Sequence, residues 1–145
     1  MINVEKTIWI NRPQQEVFDF ASNPANLPRW QSQILSTQWT SPEPHGVGST
    51  QRSVARMLGR DIESNSELTF LDPPNQFVFK LTGGPLALEG SMRFEPSGSG
   101  TQMTMGGKLE PGGFFKLAEG LVRKQIEKQF EENLEALKSL LEAGS

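Results

Sequence analysis

Apolar and polar residues alternate along the first ten residues and again along most of the middle of the chain. Ile2, Val4, Ile8 and Ile10 are separated by more polar residues, and a period of two is typical of a strand with one buried face. Six further segments of this kind lie between short turn sequences, at about 34–41, 47–57, 60–71, 76–82, 86–95 and 101–109. Because the connections are short, we expect consecutive hairpins and one antiparallel sheet.

The spacing of apolar residues changes to three or four in the remaining segments. A short helix is predicted around Val17 and Phe18 and ends at Asn23-Pro24, and a second short turn is predicted at Leu27–Trp30. A long amphipathic helix is predicted from Phe114 to about Leu141. Its apolar side is expected to be Leu117, Leu121, Ile126, Phe130, Leu134, Leu137 and Leu141. The pattern therefore predicts an α+β chain, one domain over residues 1–145, with a seven-stranded antiparallel sheet, two short helices and a long C-terminal helix.

Hairpin register predicts which side chains share a face of the sheet. A turn at Leu58-Gly59 pairs Ala55 with Ile62, Ser53 with Ser64, and Gln51 with Ser66. The opposite face then carries charged residues, with Arg56 across from Asp61, and we expect that face to be in solvent.

The later hairpins place large apolar groups on the same inner face. The predicted pairs are Leu81 with Leu86, Phe79 with Leu88, Phe77 with Gly90, Phe94 with Thr101, Met92 with Met103, and Gly90 with Met105. The methionines suit either the wall of a pocket for varied apolar ligands or the filling of a core.

The inner face of the earlier hairpin is small and polar instead. It presents Gln51, Ser53, Ser64 and Ser66, and each unpaired buried hydroxyl costs roughly 1–3 kcal/mol. Two explanations remain open. Either this patch faces a partly wet cavity with room for the polar end of a ligand, or the serines bond to backbone or turn outward through an odd-length turn.

Composition narrows the chemistry. The 145 residues include no cysteine and one histidine, His45, and carry a net charge of −3. We therefore expect no disulfide, no metal site, no cofactor and no nucleic-acid partner, and the lack of cysteine favours the cytoplasm. Residues 1–10 lack the apolar run of a signal peptide, and no stretch has the length of a membrane span.

Motifs spread along nearly the whole chain resemble one known family. They are Ile8–Pro13 followed by Glu16–Phe18, Asn23-Pro24 with Leu27–Trp30, Gly46–Ser49, Gly59-Arg60, Leu71–Pro74, Glu95-Pro96 with Gly100-Thr101, and Leu134 with Leu137-Lys138 and Leu141. In this order they are similar to the START/SRPBCC superfamily with its helix-grip fold, in particular its polyketide cyclase/dehydrase and lipid-transport branch. The resemblance implies a pocket between the long helix and the concave sheet.

The resemblance also guides the choice of site residues. Cyclase members have an arginine on the inner face of the third strand, where this chain has Leu68, and Trp30 is expected either at the pocket mouth or as a plug at the edge of the domain. The expected ligand-binding residues are Trp30, Gln51, Ser53, Ser64, Ser66, Leu68, Phe77, Phe79, Leu88, Met92, Met103, Met105, Leu117 and Leu121. We expect a hydrophobic small molecule, such as a lipid or polyketide, to bind there. Two alternatives remain: a cofactor-free cyclase or dehydratase, and a protein-interaction adaptor with an exposed apolar patch.

Overall fold

The computed structural model describes residues 2–57, 59–83, 86–111 and 117–144. The elements are β1 (Ile2–Ile10), α1 (Gln14–Ala21), a 3-10 turn (Pro24–Asn26), α2 (Leu27–Trp30), β2 (Ile34–Trp39), β3 (Thr50–Met57), β4 (Arg60–Asp72), β5 (Gln76–Gly83), β6 (Leu86–Ser97), β7 (Gly100–Pro111) and α3 (Glu119–Gly144). The seven strands form one antiparallel sheet in the order β1-β7-β6-β5-β4-β3-β2. The predicted fold class is confirmed. No helix in the described ranges has both the length and the apolar character needed to cross a membrane.

The predicted register is right for the β3–β4 hairpin and shifted for the β5–β6 and β6–β7 hairpins. In the β3–β4 hairpin, Ser53 pairs with Ser64 as expected. In the later hairpins Phe79 pairs with Gly90, and Met92 pairs with Phe77 and Met105, so each predicted partner is displaced by two residues. The β6–β7 turn is centred one position later than predicted, on Gly98-Ser99, where Gly98 has a φ of 61° that glycine adopts at little cost. A shift of two residues leaves every side chain on its predicted face.

The buried side of α3 differs from the predicted one at the start of the helix. Leu117 is 92% exposed and Leu121 is 58% exposed, whereas Val122 is fully buried. From Val122 the apolar residues follow at steps of four, through Ile126 and Phe130. Leu121 lies about 100° around the helix from Val122, because an α-helix has 3.6 residues per turn. The predicted stripe began one position too early, and the predicted helix start at 114 falls outside the described residues.

Two apolar clusters form the core, one at each end of the helix. One joins α1, α2 and the C-terminal half of α3, and in it Phe18 contacts the rings of Phe77 and Phe94 at centroid distances of 5.7 and 5.3 Å. The other joins β1, β7 and the N-terminal half of α3 around Val122. Phe130 packs against both clusters.

The C-terminal end of α3 is tied to the chain segment after β1. Arg12 donates from Nε to the Leu141 carbonyl at 2.9 Å and from Nη2 to the Glu142 carbonyl at 3.0 Å. A cation bonded to the last carbonyls of a helix compensates their unpaired dipoles. The Glu142 carboxylate accepts hydrogen bonds from Lys138 Nζ at 2.8 Å and from the Asn11 N–H at 2.9 Å. These bonds lower the pKa of Glu142 below its ordinary value and hold the helix end against the sheet.

Candidate functional site: a cavity beneath the long helix

A cavity of about 240 Å³ lies between α3 and the inner face of the sheet. Its wall includes members of both core clusters, so it interrupts the core. An apolar cavity of about 150 Å³ is large enough to hold benzene. By the same proportion, this one accepts a molecule of roughly ten carbon atoms.

Two glycines form part of the cavity floor. Gly90 and Gly107 pair across β6 and β7 on the inner face. A Cβ on Gly107 would lie 3.1 Å from Cζ of Phe130, so the missing side chain lets the helix approach the sheet there. A Cβ on Gly90 would meet no atom closer than the Gly106 carbonyl oxygen at 4.0 Å. A side chain at position 107 would therefore crowd the Phe130 ring, whereas Gly90 leaves open space.

Nine of the fourteen predicted site residues lie in the cavity wall. They are Gln51, Ser53, Ser64, Ser66, Phe77, Phe79, Leu88, Met92 and Met105. The three serines therefore face the cavity, and the outward orientation considered from the sequence is wrong. The predicted unevenness is present in the structure, with hydroxyls and an amide on β3 and β4 and aromatic, leucine and methionine side chains on β5 to β7.

The other five predicted site residues lie elsewhere. Trp30, Leu68 and Met103 are buried in the apolar cluster that includes α1 and are not among the residues that line the cavity. Trp30 is thus a core plug rather than part of the cavity mouth. Leu117 is exposed just before α3, and Leu121 is exposed within it because it lies about 100° around the helix from the buried Val122.

Several lining residues were missed, for two different reasons. Ala55, Ile62, Leu81, Ile126 and Phe130 line the cavity and follow the same strand and helix periodicities, so they could have been included. Most of the remaining ones are polar or belong to the segment from the end of α1 to the start of β2, and no periodic signal assigns them to the cavity. They include Gln31 and Gln33 after α2, Gln125 and Gln129 on α3, and Ala21, Ser22, Pro24, Leu27 and Ile34.

The polar side chains of the wall are only partly bonded to one another. Gln33 donates from Nε2 to Gln31 Oε1 at 3.3 Å, and Gln129 donates from Nε2 to Asn133 Oδ1 at 3.0 Å. The Gln33 Oε1 atom is buried and accepts no hydrogen bond from any described residue. The Ser64 and Ser66 side chains make no hydrogen bond to a described residue. The wall therefore retains free hydrogen-bonding capacity.

Charge is nearly absent from the described part of the wall. Arg56 is the one ionisable residue among the described lining residues, and its register puts its side chain on the opposite face of the sheet. There its Nε donates to Asp61 Oδ1 at 2.9 Å, which raises the pKa of Arg56. The described residues include no group of three or more metal-ligating side chains that could hold an ion. The site thus offers hydrogen bonds and apolar contact, without an acid or base facing inward.

The cavity opens through a polar mouth. An adjoining depression of about 340 Å³ is lined by Ser32, Gln33, Arg56, Gly59, Gln125 and Gln129. Four of these residues also line the cavity. The mouth therefore lies between the α2–β2 connection, the β3–β4 turn and the N-terminal half of α3.

A long C-terminal helix closing over a curved antiparallel sheet with a cavity between them defines a helix-grip protein of the START-like class. A family model described as polyketide cyclase/dehydrase and lipid transport matches residues 1–142. The chain belongs to this family.

Two solved structures and one curated relative are also similar to this chain. A START superfamily protein from Mycobacterium smegmatis superposes with a TM-score of 0.86 at 17% identity, covering 99% of both chains. A protein of Thermus thermophilus gives a TM-score of 0.85 at 24% identity with the same coverage. These two similarities show the fold. An uncharacterised protein of Mycobacterium tuberculosis is 29% identical over 101 residues, which span 66% of this chain and 59% of that relative.

Proposed function

We propose that this chain binds and carries a hydrophobic small molecule in the cavity beneath α3. The observation that carries the proposal is the cavity itself. The cavity holds about 240 Å³, and most of the side chains that line it are apolar. A ligand that fills it would remove apolar surface of both molecules from water, at about 25 cal/mol per Å² of buried area.

The second candidate is a cofactor-free cyclase or dehydratase, which the family description favours. Proton transfer in such a reaction requires an acid or base within hydrogen-bond reach of the substrate. The described wall supplies amides and hydroxyls, and its one ionisable residue, Arg56, is paired with Asp61 on the other face. These features favour binding over catalysis. A cytoplasmic location, indicated by the absence of cysteine, is part of the same proposal.

Filling the cavity from its floor tests the proposal. Gly90→Leu places four carbon atoms in space where an added Cβ meets nothing closer than 4.0 Å. We expect the variant to keep or raise the melting temperature, because filling a void adds apolar contact, and to lose the ligand. Gly46→Leu is the matched control, because Gly46 lies in the β2–β3 connection, has no atom within 4 Å of an added Cβ, and does not line the cavity.

The measurement is native mass spectrometry of the purified proteins, followed by extraction and identification of lipophilic compounds. Wild type and Gly46→Leu should carry the same compound and Gly90→Leu should carry none. Equal retention by all three proteins would place the ligand outside the cavity. A wild-type protein that neither retains nor takes up any apolar compound would refute the carrier function.

A further inference from the structure

We infer that the ligand is a neutral amphipathic molecule, with a hydroxyl or similar hydrogen-bond donor on an apolar body of roughly ten carbon atoms, an inference that rests on the binding function proposed above. An anionic or cationic end group is disfavoured by the same wall.

Five glutamines belong to the polar part of the wall. Gln31 and Gln33 come from the α2–β2 connection, Gln51 from β3, and Gln125 and Gln129 from α3. An amide offers two donors and an acceptor without charge. Three separate segments of the chain therefore bring uncharged hydrogen-bonding groups to one cavity, and Gln33, Gln125 and Gln129 also line its mouth.

The Gln33 side chain indicates which kind of hydrogen-bonding group a ligand would have to supply. Its Nε2 donates to Gln31 Oε1 at 3.3 Å. Its Oε1 is buried without a partner among the described residues, and a buried acceptor without a donor destabilises the folded state. A ligand O–H or N–H at this position would supply the missing donor.

A charged end group finds no unpaired counterpart among the described residues of this wall. Removing a carboxylate from water is costly unless a cation meets it. The Arg56 guanidinium is bonded to Asp61 on the outer face, and its side chain is 60% exposed there. No described lining residue is an aspartate or a glutamate, so an ammonium group finds no partner either.

Three bicyclic probes that differ only in their polar group separate these possibilities. The binding of naphthalene, 2-naphthol and 2-naphthoate to wild type, Gln33→Met and Gln38→Met is measured by equilibrium dialysis at pH 7. Gln38 is the control because it is exposed on β2, five residues further along the chain, and pairs with Arg52 on the outer face. Methionine matches glutamine in length and removes the amide.

We expect wild type to bind 2-naphthol about fivefold more tightly than naphthalene, as one added neutral hydrogen bond provides, and at least about tenfold more tightly than 2-naphthoate. Gln33→Met should lose the preference for 2-naphthol and bind naphthalene as wild type does, while Gln38→Met should match wild type throughout.

Equal affinity of wild type for 2-naphthol and naphthalene, or affinity for 2-naphthoate that equals that for 2-naphthol, would overturn the inference and leave the binding function standing. A Gln33→Met protein that keeps the full preference would also overturn it. Failure of all three probes to bind wild type would count against both the inference and the binding function. The wild-type comparison needs no variant, so it holds even if Gln33→Met folds poorly.

Discussion

The same substitution at two adjacent residues of α3 should strongly destabilise the protein at one position and leave its stability almost unchanged at the other. Val122 is fully buried against β1 and β7, and Leu121 is 58% exposed. Val122→Asp removes about 2 kcal/mol of apolar burial. It also places a carboxyl group among apolar side chains, at a further cost of at least about 2 kcal/mol even when the group is protonated.

The sum, about 4 kcal/mol or more, approaches the whole stability of many domains. Leu121→Asp loses little burial and adds a negative charge in the first turn of α3, where the helix dipole contributes about 0.3–1 kcal/mol in its favour. We therefore expect Leu121→Asp to stay within about 1 kcal/mol of wild type.

Urea unfolding followed by tryptophan fluorescence and circular dichroism measures both values, and the buried Trp30 is a suitable reporter. Val122→Asp should unfold at a much lower urea concentration than wild type, whereas Leu121→Asp should unfold near the wild-type midpoint with an unchanged slope. Similar midpoints for the two variants, or a larger loss for Leu121→Asp, would mean that the buried face of α3 is wrongly assigned.

Two further predictions concern how the helix is held on the sheet. Gly107→Val should lower the free energy of unfolding by about 1–3 kcal/mol, since its Cβ would lie 3.1 Å from the Phe130 ring. The same change at Gly90 should be neutral or stabilising, and equal melting temperatures would show that the ring does not rest on Gly107. The lowered pKa of Glu142 contributes stability that is present above the ordinary pKa of 4.5 and is lost as pH falls through the lower folded-state pKa. Thermal melts from about pH 6 to about pH 3 should therefore fall less steeply for Glu142→Gln than for wild type, and parallel curves would exclude a role of the bond to Lys138 in acid stability.

Much of the architecture was predictable because it depends on local periodicity. A period of two identified the strands, and hairpin parity assigned their faces even where the register was displaced, since a shift of two residues preserves the face. That is why Ser53, Ser64 and Phe79 were correctly placed on the inner side. The helix stripe was less certain at its first turn, where Leu121 and Val122 are both apolar and only packing distinguishes them.

The order of the elements and the inner and outer faces of the sheet were therefore determined by the sequence alone, through the alternation of polar and apolar residues and the turn residues between them. Tertiary structure decided the cavity. Gln33 and Gln129 are distant in the chain and carry no periodic signal, yet the α2–β2 connection and α3 bring both to one mouth. The void above Gly90 likewise depends on how α3 packs on the sheet, where Phe130 leaves little room for a side chain at position 107. Such spacing arises from contacts between segments far apart in sequence, and no local pattern encodes it.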